Sequence, residues 1–427
     1  MSDDILFIKN NNSPKLVVYF YFAGAKPLED YSLFSKYSFN KLLIRDSSSS
    51  WYNGDIGNIS TNIDELEIYL KEIIHNFKKQ DITFFGMSMG GYAALLLGTR
   101  LEVGKIVAIS PQIILDENLP MPSIKNAGYK DISNTILEHD KTEIDLWFGS
   151  EEFSDYIHIH SILGRKNLNL YPVKGSYHNV FYHFKQRMVL DSFFDLYLSS
   201  TQATLPLSYQ KHLTKVLPHI TDITNIITEF YLHKNYEKAL IQIEALEIKI
   251  KNWSGLLYFK GLILLELKKY QEAVDAFNTC LFLDQNNYLC SYKMSLAYIS
   301  LGQMKPAETA LRLSIANTPV PPPSQLYARL SETQQKQGKY LLAKENADKA
   351  LQLDKNNLWA HYQLVLLHML DKSYHDAIAH CESILKIKPD WEDVKKRFIQ
   401  SHKILIKEAQ DKLITSQAKL NLKNITI

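Results

Sequence analysis

A recurring spacing of small residues in the second half of the chain constrains the fold more than any other feature of the 427-residue sequence. Alanine recurs at intervals of 34, 34, 36 and 34 residues, at Ala239, Ala273, Ala307, Ala343 and Ala377. Three positions before each alanine stands a tyrosine or a methionine: Tyr236, Tyr270, Met304, Tyr340 and Tyr374. A period of this length is typical of stacked helical units, each of which buries its apolar face only against its neighbours.

The period and the pattern predict five tetratricopeptide repeats over residues 220–391, with residues 392–427 forming a capping helix and tail. We expect each alanine to lie where two helices cross closely and each tyrosine or methionine to fill the adjoining gap. Gly302 and Gly338 should form turns inside repeats. The proline-rich segment 320–324 explains the one longer interval, because proline keeps it at a turn.

Residues 1–200 show a different pattern, in which short apolar runs alternate with amphipathic stretches. Helices are predicted from Thr61 or Asn62 to about Lys79, over 89–100 and over 179–198. Strands are predicted at 5–9, 15–22, 40–45, 81–85, 105–110, 143–148 and 168–173. This alternation predicts a doubly wound, mostly parallel sheet, followed at 201–219 by a linker or a first helix.

Composition and charge exclude several classes of protein. The three cysteines are too few and odd in number for a disulfide framework, and no cysteine–histidine spacing matches a zinc site. The acidic N-terminus is unlike a signal peptide, and no apolar stretch is long enough to cross a membrane. The first 200 residues carry net negative charge and the remainder net positive charge, without the basic clusters of a nucleic-acid-binding protein. We therefore expect a cytoplasmic protein with no metal and no cofactor.

The most informative chemical motif is Gly86-Met87-Ser88-Met89-Gly90, which follows a predicted strand and opens a predicted helix of small residues. This is the pattern G-x-S-x-G of a nucleophile elbow, where a tight turn exposes the serine hydroxyl. The motif predicts Ser88 as a nucleophile. The Met89 backbone N–H should then point towards a developing oxyanion.

A serine nucleophile needs a base and an orienting acid, which follow it in the chain in the order acid, then histidine. His178 follows the last predicted strand and is the candidate base. The acid should follow strand 143–148, where Glu151, Glu152 and Asp155 compete. Spacing leaves Glu152 and Asp155 nearly even, and the side chain of Asp155 could instead be a plain helix cap.

Two loops at the same predicted sheet edge supply further candidates. The loop after strand 15–22 should provide a second oxyanion donor, from Ala23 or Gly24. The loop after strand 40–45 carries Arg45, Trp51 and Tyr52, which could bind a polar ligand such as a sugar or a carboxylate. The competing interpretation is an Arg45–Asp46 clamp, with both aromatic rings covering the core.

Several segments together resemble a family of bacterial α/β-hydrolase-fold serine esterases and acyltransferases. They are R-D and W-Y-N-G within 45–54, G-M-S-M-G-G-Y-A-A at 86–94, I-S-P-Q at 109–112, D-Y-I-H at 155–158 and G-S-Y-H-N-V at 175–180. The resemblance implies a triad of Ser88, Asp155 and His178, and so favours Asp155 over Glu152. It also implies a carbohydrate O-acyl substrate on a bacterial surface glycan or glycoprotein.

The sequence thus predicts an α/β-hydrolase domain over residues 1–200, followed by an all-α repeat domain. The expected activity is that of an esterase, a deacetylase or an O-acetyltransferase, since the same residues serve hydrolysis and transfer. We expect the repeats to bind a protein partner. The alternative is a non-catalytic scaffold in which only the repeats act.

Overall fold

The computed structural model of the chain describes residues 4–27, 31–120, 128–199, 217–318 and 322–425. The chain divides into two compact units, Met1–Leu267 and Lys268–Ile427. The predicted linker lies outside the described residues as far as residue 216, and so does the start of the proline-rich segment, at 320–321. Within the described ranges, no helix is long and apolar enough to span a membrane.

The first unit contains a mixed sheet that is mostly parallel. Its described strands are β1 (Ile5–Ile8), β2 (Leu16–Phe20), β3 (Asn40–Ile44), β4 (Ile82–Met87), β5 (Lys105–Ile109), β6 (Glu143–Gly149) and β7 (Leu168–Val173). They lie in the order β1-β3-β2-β4-β5-β6-β7, and β1 alone among them pairs antiparallel. All seven segments were predicted as strands. The central strands are continuous apolar runs because both faces of the sheet are covered.

The connecting helices of this region are α1 (Tyr31–Ser35), α2 (Ile63–Ile74), α3 (Met89–Arg100), α4 (Ser133–Glu138), α5 (Asp155–Ser161), α6 (Val180–Gln186) and α7 (Leu190–Leu198). The side chain of Asn62 caps α2 by accepting from the N–H groups of Asp64 and Glu65. The prediction that α2 runs to Lys79 was wrong, because the chain leaves the helix after Ile74 to turn into β4.

The helix predicted over 179–198 is two helices instead of one. The chain bends between α6 and α7, where Met188 has a φ of 56°. A left-handed residue interrupts a right-handed helix, and the bend lets α7 return to the sheet. There Phe194 stacks on Phe85 of β4, with ring centroids 5.3 Å apart, inside a cluster of buried aromatic side chains.

Three repeat helices also belong to the first unit. Helix α8 (Ile220–Ile227) continues into a single π-helical turn, Thr228–Leu232. Helices α9 (Tyr236–Lys249) and α10 (Ser254–Glu266) follow. The first compact unit therefore consists of the sheet domain together with the first helix pair and the helix after it.

The second unit is entirely helical in its described part. Its helices are α11 (Tyr270–Leu283), α12 (Tyr288–Ser300), α13 (Met304–Asn317), α14 (Ser324–Lys336), α15 (Tyr340–Leu353), α16 (Leu358–Leu370), α17 (Tyr374–Ile387) and α18 (Glu392–Ile425). Gly302 and Gly338 both have a φ of 74°, a left-handed conformation typical of the glycine that follows a helix. Helix α18 begins at the predicted cap.

The repeated small residues lie where the period predicts, and all five alanines of the series are fully buried. The tyrosine and methionine series is less buried than the alanines. These residues are the first of the second helix in each pair, and none of them is buried. Tyr340 is 52% exposed, for example. That these side chains fill the gap beside the alanine crossing stays a prediction.

Candidate active site

Ser88 occupies a sharp turn between the end of β4 and the start of α3. Its φ of 53° is unusual for a residue with a side chain, and its backbone N–H donates to the Ile109 carbonyl at 2.8 Å. A Cβ atom on Gly86 would collide with the Gly90 carbonyl, and one on Gly90 would collide with the Phe20 carbonyl. The two glycines of the motif are therefore required by backbone contacts on both sides of the serine.

The structure brings Ser88, His178 and Asp155 into one hydrogen-bonded chain. Nε2 of His178 lies 3.0 Å from Oγ of Ser88, and Nδ1 of His178 lies 2.8 Å from Oδ1 of Asp155. With the carboxylate accepting from Nδ1–H, Nε2 of the neutral ring accepts from the serine hydroxyl. Ser88 is 5% exposed and Asp155 is 3% exposed.

The three carboxylates that the sequence offered as the acid orienting the histidine have separate partners. Asp155, the first residue of α5, contacts His178. Glu152 instead accepts from the hydroxyl of Ser154 at 2.5 Å. Glu151 accepts from Ser254 and Gly255 at the start of α10. Asp155 does not cap its own helix, because its carboxylate oxygen is bonded to the histidine.

The loops that carry the acid and the base are bonded to each other, and we call residues 150–155 the acid loop and residues 174–179 the histidine loop. The Glu151 N–H donates to the Ser176 carbonyl at 3.0 Å. A Cβ atom on Gly149, the last residue of β6, would collide with the carbonyls of Ser176 and Tyr177. Gly149 was not among the residues predicted from the sequence, although glycine in a strand is a recognised sign of close backbone approach.

Burial and neighbouring charges shift the pKa values of three groups in the site: His178, Glu152 and His158. Burial opposes protonation of His178, but the charge of Asp155 and its hydrogen bond outweigh burial and raise the pKa of His178. Burial, together with the charge of Asp155, raises the pKa of Glu152. Burial lowers the pKa of His158 to about 4, so this ring is neutral at pH 7. The charge of Glu152 also contributes to the raised pKa of His178.

The candidate oxyanion donors lie on two elements. Met89 is the first residue of α3, so its N–H has no acceptor within the helix. In the loop after β2, the Gly24 N–H donates to the Ser49 hydroxyl at 3.2 Å. Gly24 also has a φ of 77°, as a turn residue. Gly24 therefore already has a hydrogen-bond partner for its N–H. Among the described residues no such bond is shown for the N–H of Ala23, which is the better of the two loop candidates.

Arg45, Trp51 and Tyr52 do not form the predicted ligand surface. Arg45 pairs with Asp4 at 2.6 Å. Trp51 is 2% exposed and donates from Nε1 to Gln112, and Tyr52 is fully buried, its hydroxyl donating to the backbone carbonyls that follow β2 and end β3. The competing interpretation holds for the aromatic rings, which belong to the core.

The loop after β3 is organised by Asp46, but not through Arg45. Its carboxylate accepts from the backbone N–H groups of Ser48, Ser50 and Tyr52. Such side-chain to backbone bonds stabilise a tight loop. The predicted Arg45–Asp46 clamp is therefore replaced by separate contacts of the two residues.

Helix α5 carries two histidines, His158 and His160, whose side chains do not meet as metal ligands would. Nδ1 of His158 accepts from the Ile114 N–H at 3.3 Å, whereas His160 lies near Thr221. Residues two apart on a helix face in different directions. Among the described residues, no group of three histidine, cysteine or acidic side chains could hold a metal ion.

Comparison with known proteins finds similarity to the repeat region of the chain. The family model for the tetratricopeptide repeat matches residues 254–287 and 324–357, so the chain contains tetratricopeptide repeats, as predicted. No curated protein matches the chain.

Three solved structures are each similar to part of the chain. The MamA fragment from Desulfovibrio magneticus RS-1 is 23% identical, over 39% of this chain and 93% of its own length, with a TM-score of 0.36. A thermophilic tetratricopeptide-repeat protein from Thermus thermophilus is 18% identical, over 41% and 94%, with a TM-score of 0.34. PilW, a type IV pilus biogenesis factor, is 16% identical, over 43% and 84%, with a TM-score of 0.40.

Proposed function

We propose that residues 1–200 have an α/β-hydrolase fold and act as a serine-dependent acyl-transfer enzyme. The observation that carries the proposal is the chain of hydrogen bonds from Ser88 through His178 to Asp155. The order of these residues along the chain, nucleophile, acid and histidine, is the order of that fold. The elbow geometry of Ser88, after a central parallel strand and before a helix, supports the same assignment.

In the proposed first half-reaction, Oγ of Ser88 attacks the acyl carbonyl while Nε2 of His178 takes the hydroxyl proton. Asp155 holds the ring in the required tautomer and stabilises the imidazolium that forms. The N–H groups of Met89 and Ala23 are the proposed donors to the oxyanion of the tetrahedral intermediate. The intermediate then collapses, the leaving alcohol takes the proton from His178, and the acyl group remains on Ser88.

The acceptor in the second half-reaction decides the name of the activity. Water, deprotonated by His178, would release the acid and regenerate Ser88 as in an esterase or deacetylase. A sugar hydroxyl, deprotonated by the same atom, would take the acyl group as in an O-acetyltransferase. The family resemblance of the sequence favours a carbohydrate O-acyl substrate in either case.

A second candidate function is a protein-interaction scaffold. The match to the tetratricopeptide family supports this function more directly than it supports catalysis, because repeats of this kind stack into extended binding surfaces. A protein partner of the repeats is compatible with either function. The two differ in whether Ser88 reacts.

Labelling of the full chain with a fluorophosphonate probe tests the proposal. We expect wild-type protein to be labelled and to hydrolyse p-nitrophenyl acetate, and Ser88→Ala to do neither. Ser133→Ala is the matched control, since Ser133 is also buried, lies on α4 and takes no part in the proposed site. Folded wild-type protein that neither labels nor turns over would contradict the enzyme and favour the scaffold. An O-acetylated oligosaccharide, with and without acceptor sugar, would then separate hydrolysis from transfer.

A further inference from the structure

The acid loop packs against a repeat helix within the first compact unit. Nε1 of Trp253, the residue before α10, donates to the Ser150 carbonyl at 3.1 Å. The ring of Phe153 stacks on that of Phe259, with centroids 4.5 Å apart and an angle of 18° between the planes. All three aromatic side chains are at most 3% exposed. The loop that ends at the catalytic acid candidate is thus part of a buried contact with α10.

Glu151 makes the polar part of this contact. Its Oε2 accepts from the Gly255 N–H at 2.9 Å and from the Ser254 hydroxyl at 2.5 Å. Glu151 is 5% exposed, and its other carboxylate oxygen accepts from the Ser150 hydroxyl at 3.0 Å. A carboxylate at a helix N-terminus is favoured both by the free N–H groups and by the helix dipole. Charge-assisted bonds of this kind hold a side chain firmly in place.

The same residue also contacts the histidine loop through its backbone. The Glu151 N–H donates to the Ser176 carbonyl, two residues before His178, and the Asp155 N–H donates to the Glu152 carbonyl. A Cβ atom on Gly255 would come within 2.7 Å of the Glu151 carbonyl, so the helix start approaches the loop backbone closely. Glu151 therefore connects three segments: α10, the acid loop and the histidine loop.

We propose that Glu151 is a positioning residue for the Asp155–His178 pair. Because α10 binds the Glu151 carboxylate, the catalytic activity then depends on α10 as well. The proposal rests on the proposed function and deepens it. Glu151 touches neither Ser88 nor the acyl group; it acts by fixing two loops whose relative displacement would lengthen the 2.8 Å bond between acid and base. Displacements of about 1 Å at a reacting centre can lower rates by about 100-fold.

A purely structural cap would have different consequences. Loss of a cap lowers stability but leaves the chemistry of the folded molecules unchanged. Loss of a positioning residue lowers kcat in folded protein, leaves KM nearly constant and changes the pH dependence. The change arises because a looser Asp155–His178 contact no longer raises the pKa of His178.

The test uses the full chain and p-nitrophenyl acetate, with kcat and KM measured across the pH range. We expect Glu151→Ala to lower kcat by about 10- to 100-fold with KM nearly unchanged, and to move the acid limb of kcat to lower pH. Glu151→Gln should recover part of the rate, because its amide oxygen can still accept from Gly255. Asn357→Ala is the matched control, since the Asn357 side chain caps α16 in a later repeat and should leave kcat and the pH profile unchanged.

The outcomes are distinguishable from failure of the proposed function. Wild-type protein without labelling or turnover would contradict the enzyme itself. Active wild type with an unchanged Glu151→Ala, or an equal loss in Asn357→Ala, would overturn the positioning role. If circular dichroism finds Glu151→Ala unfolded, Trp253→Phe decides, because it removes the bond to Ser150 and keeps an aromatic ring against Phe153 and Tyr156. A kcat of Trp253→Phe equal to wild type would then overturn the proposal, and a several-fold loss would support it.

Discussion

Ser88 and His178 are separated by 90 positions in the sequence, yet their side chains lie 3.0 Å apart. The reason is the parallel sheet, in which the carboxyl ends of β4 and β7 meet at one edge and each is followed by a loop that carries a polar side chain. Asp155 follows β6, the strand that pairs with β7, and lies 2.8 Å from the same histidine.

The separate partners of Glu152 and Asp155 predict unequal effects of isosteric substitutions. We expect Asp155→Asn to lower kcat for p-nitrophenyl acetate by about 10³- to 10⁴-fold, because an amide cannot stabilise the imidazolium or hold its tautomer. Glu152→Gln should retain most of the activity, since Glu152 is bonded to Ser154 and not to His178. Equal losses in the two variants would contradict the assignment of Asp155.

The pKa of His178 predicts a pH dependence with a defined direction. As a base the ring must be neutral, so kcat/KM should fall as the pH drops through the pKa of His178. Because Asp155 raises that pKa, the midpoint should lie above the ordinary histidine value of about 6.5. The midpoint should move to lower pH in Asp155→Asn, where only the charge of Glu152 still opposes the effect of burial on the ring. A wild-type profile centred below about 6.5 would argue against His178 as the base.

Patterns within one segment could be predicted from the residues themselves, whereas the grouping of Ser88, Asp155 and His178 was implied only by the family resemblance, and other contacts between distant segments were not predicted. The strand runs, the elbow and the repeat period are local, so their positions agree with the structure. The choice among Glu151, Glu152 and Asp155 was different, because it depends on which carboxylate faces His178 and which faces Gly255, 104 residues away from Glu151. Burial of Trp51 and Tyr52 likewise depends on partners from other loops.

Gly149 offers a test of the contact between the acid loop and the histidine loop. We expect Gly149→Ala to lower activity by about 10-fold or more and stability by about 1–3 kcal/mol, because its Cβ atom would collide with backbone that cannot easily move. Gly128→Ala is a suitable control, since its Cβ atom would meet only the Asn53 side chain at 3.5 Å. Urea denaturation and p-nitrophenyl acetate turnover measure the two effects. Identical behaviour of the two variants would mean that the loops tolerate separation.

The aromatic contact between the acid loop and α10 predicts where the chain can be cut without unfolding the sheet domain. A fragment of residues 1–199 would expose Phe153 and Tyr156, which pack against Trp253, and Phe153 would also lose Phe259. Each large apolar side chain returned to water costs about 1.5–3 kcal/mol, a large share of the stability of a typical domain. A fragment of residues 1–267 keeps these partners.

We therefore expect fragment 1–267 to have a cooperative thermal transition and a near-ultraviolet circular dichroism signal, and fragment 1–199 to lack both and to bind a hydrophobic dye. Phe259→Ala in fragment 1–267 should lower the free energy of unfolding by about 3–5 kcal/mol. Ile241→Ala, at a position 68% exposed on α9, is the control and should leave it nearly unchanged. If fragment 1–199 folded with the same transition temperature as 1–267, helices α8, α9 and α10 would be dispensable for the sheet domain, and the contact of α10 with the acid loop would contribute little to holding Asp155 in place.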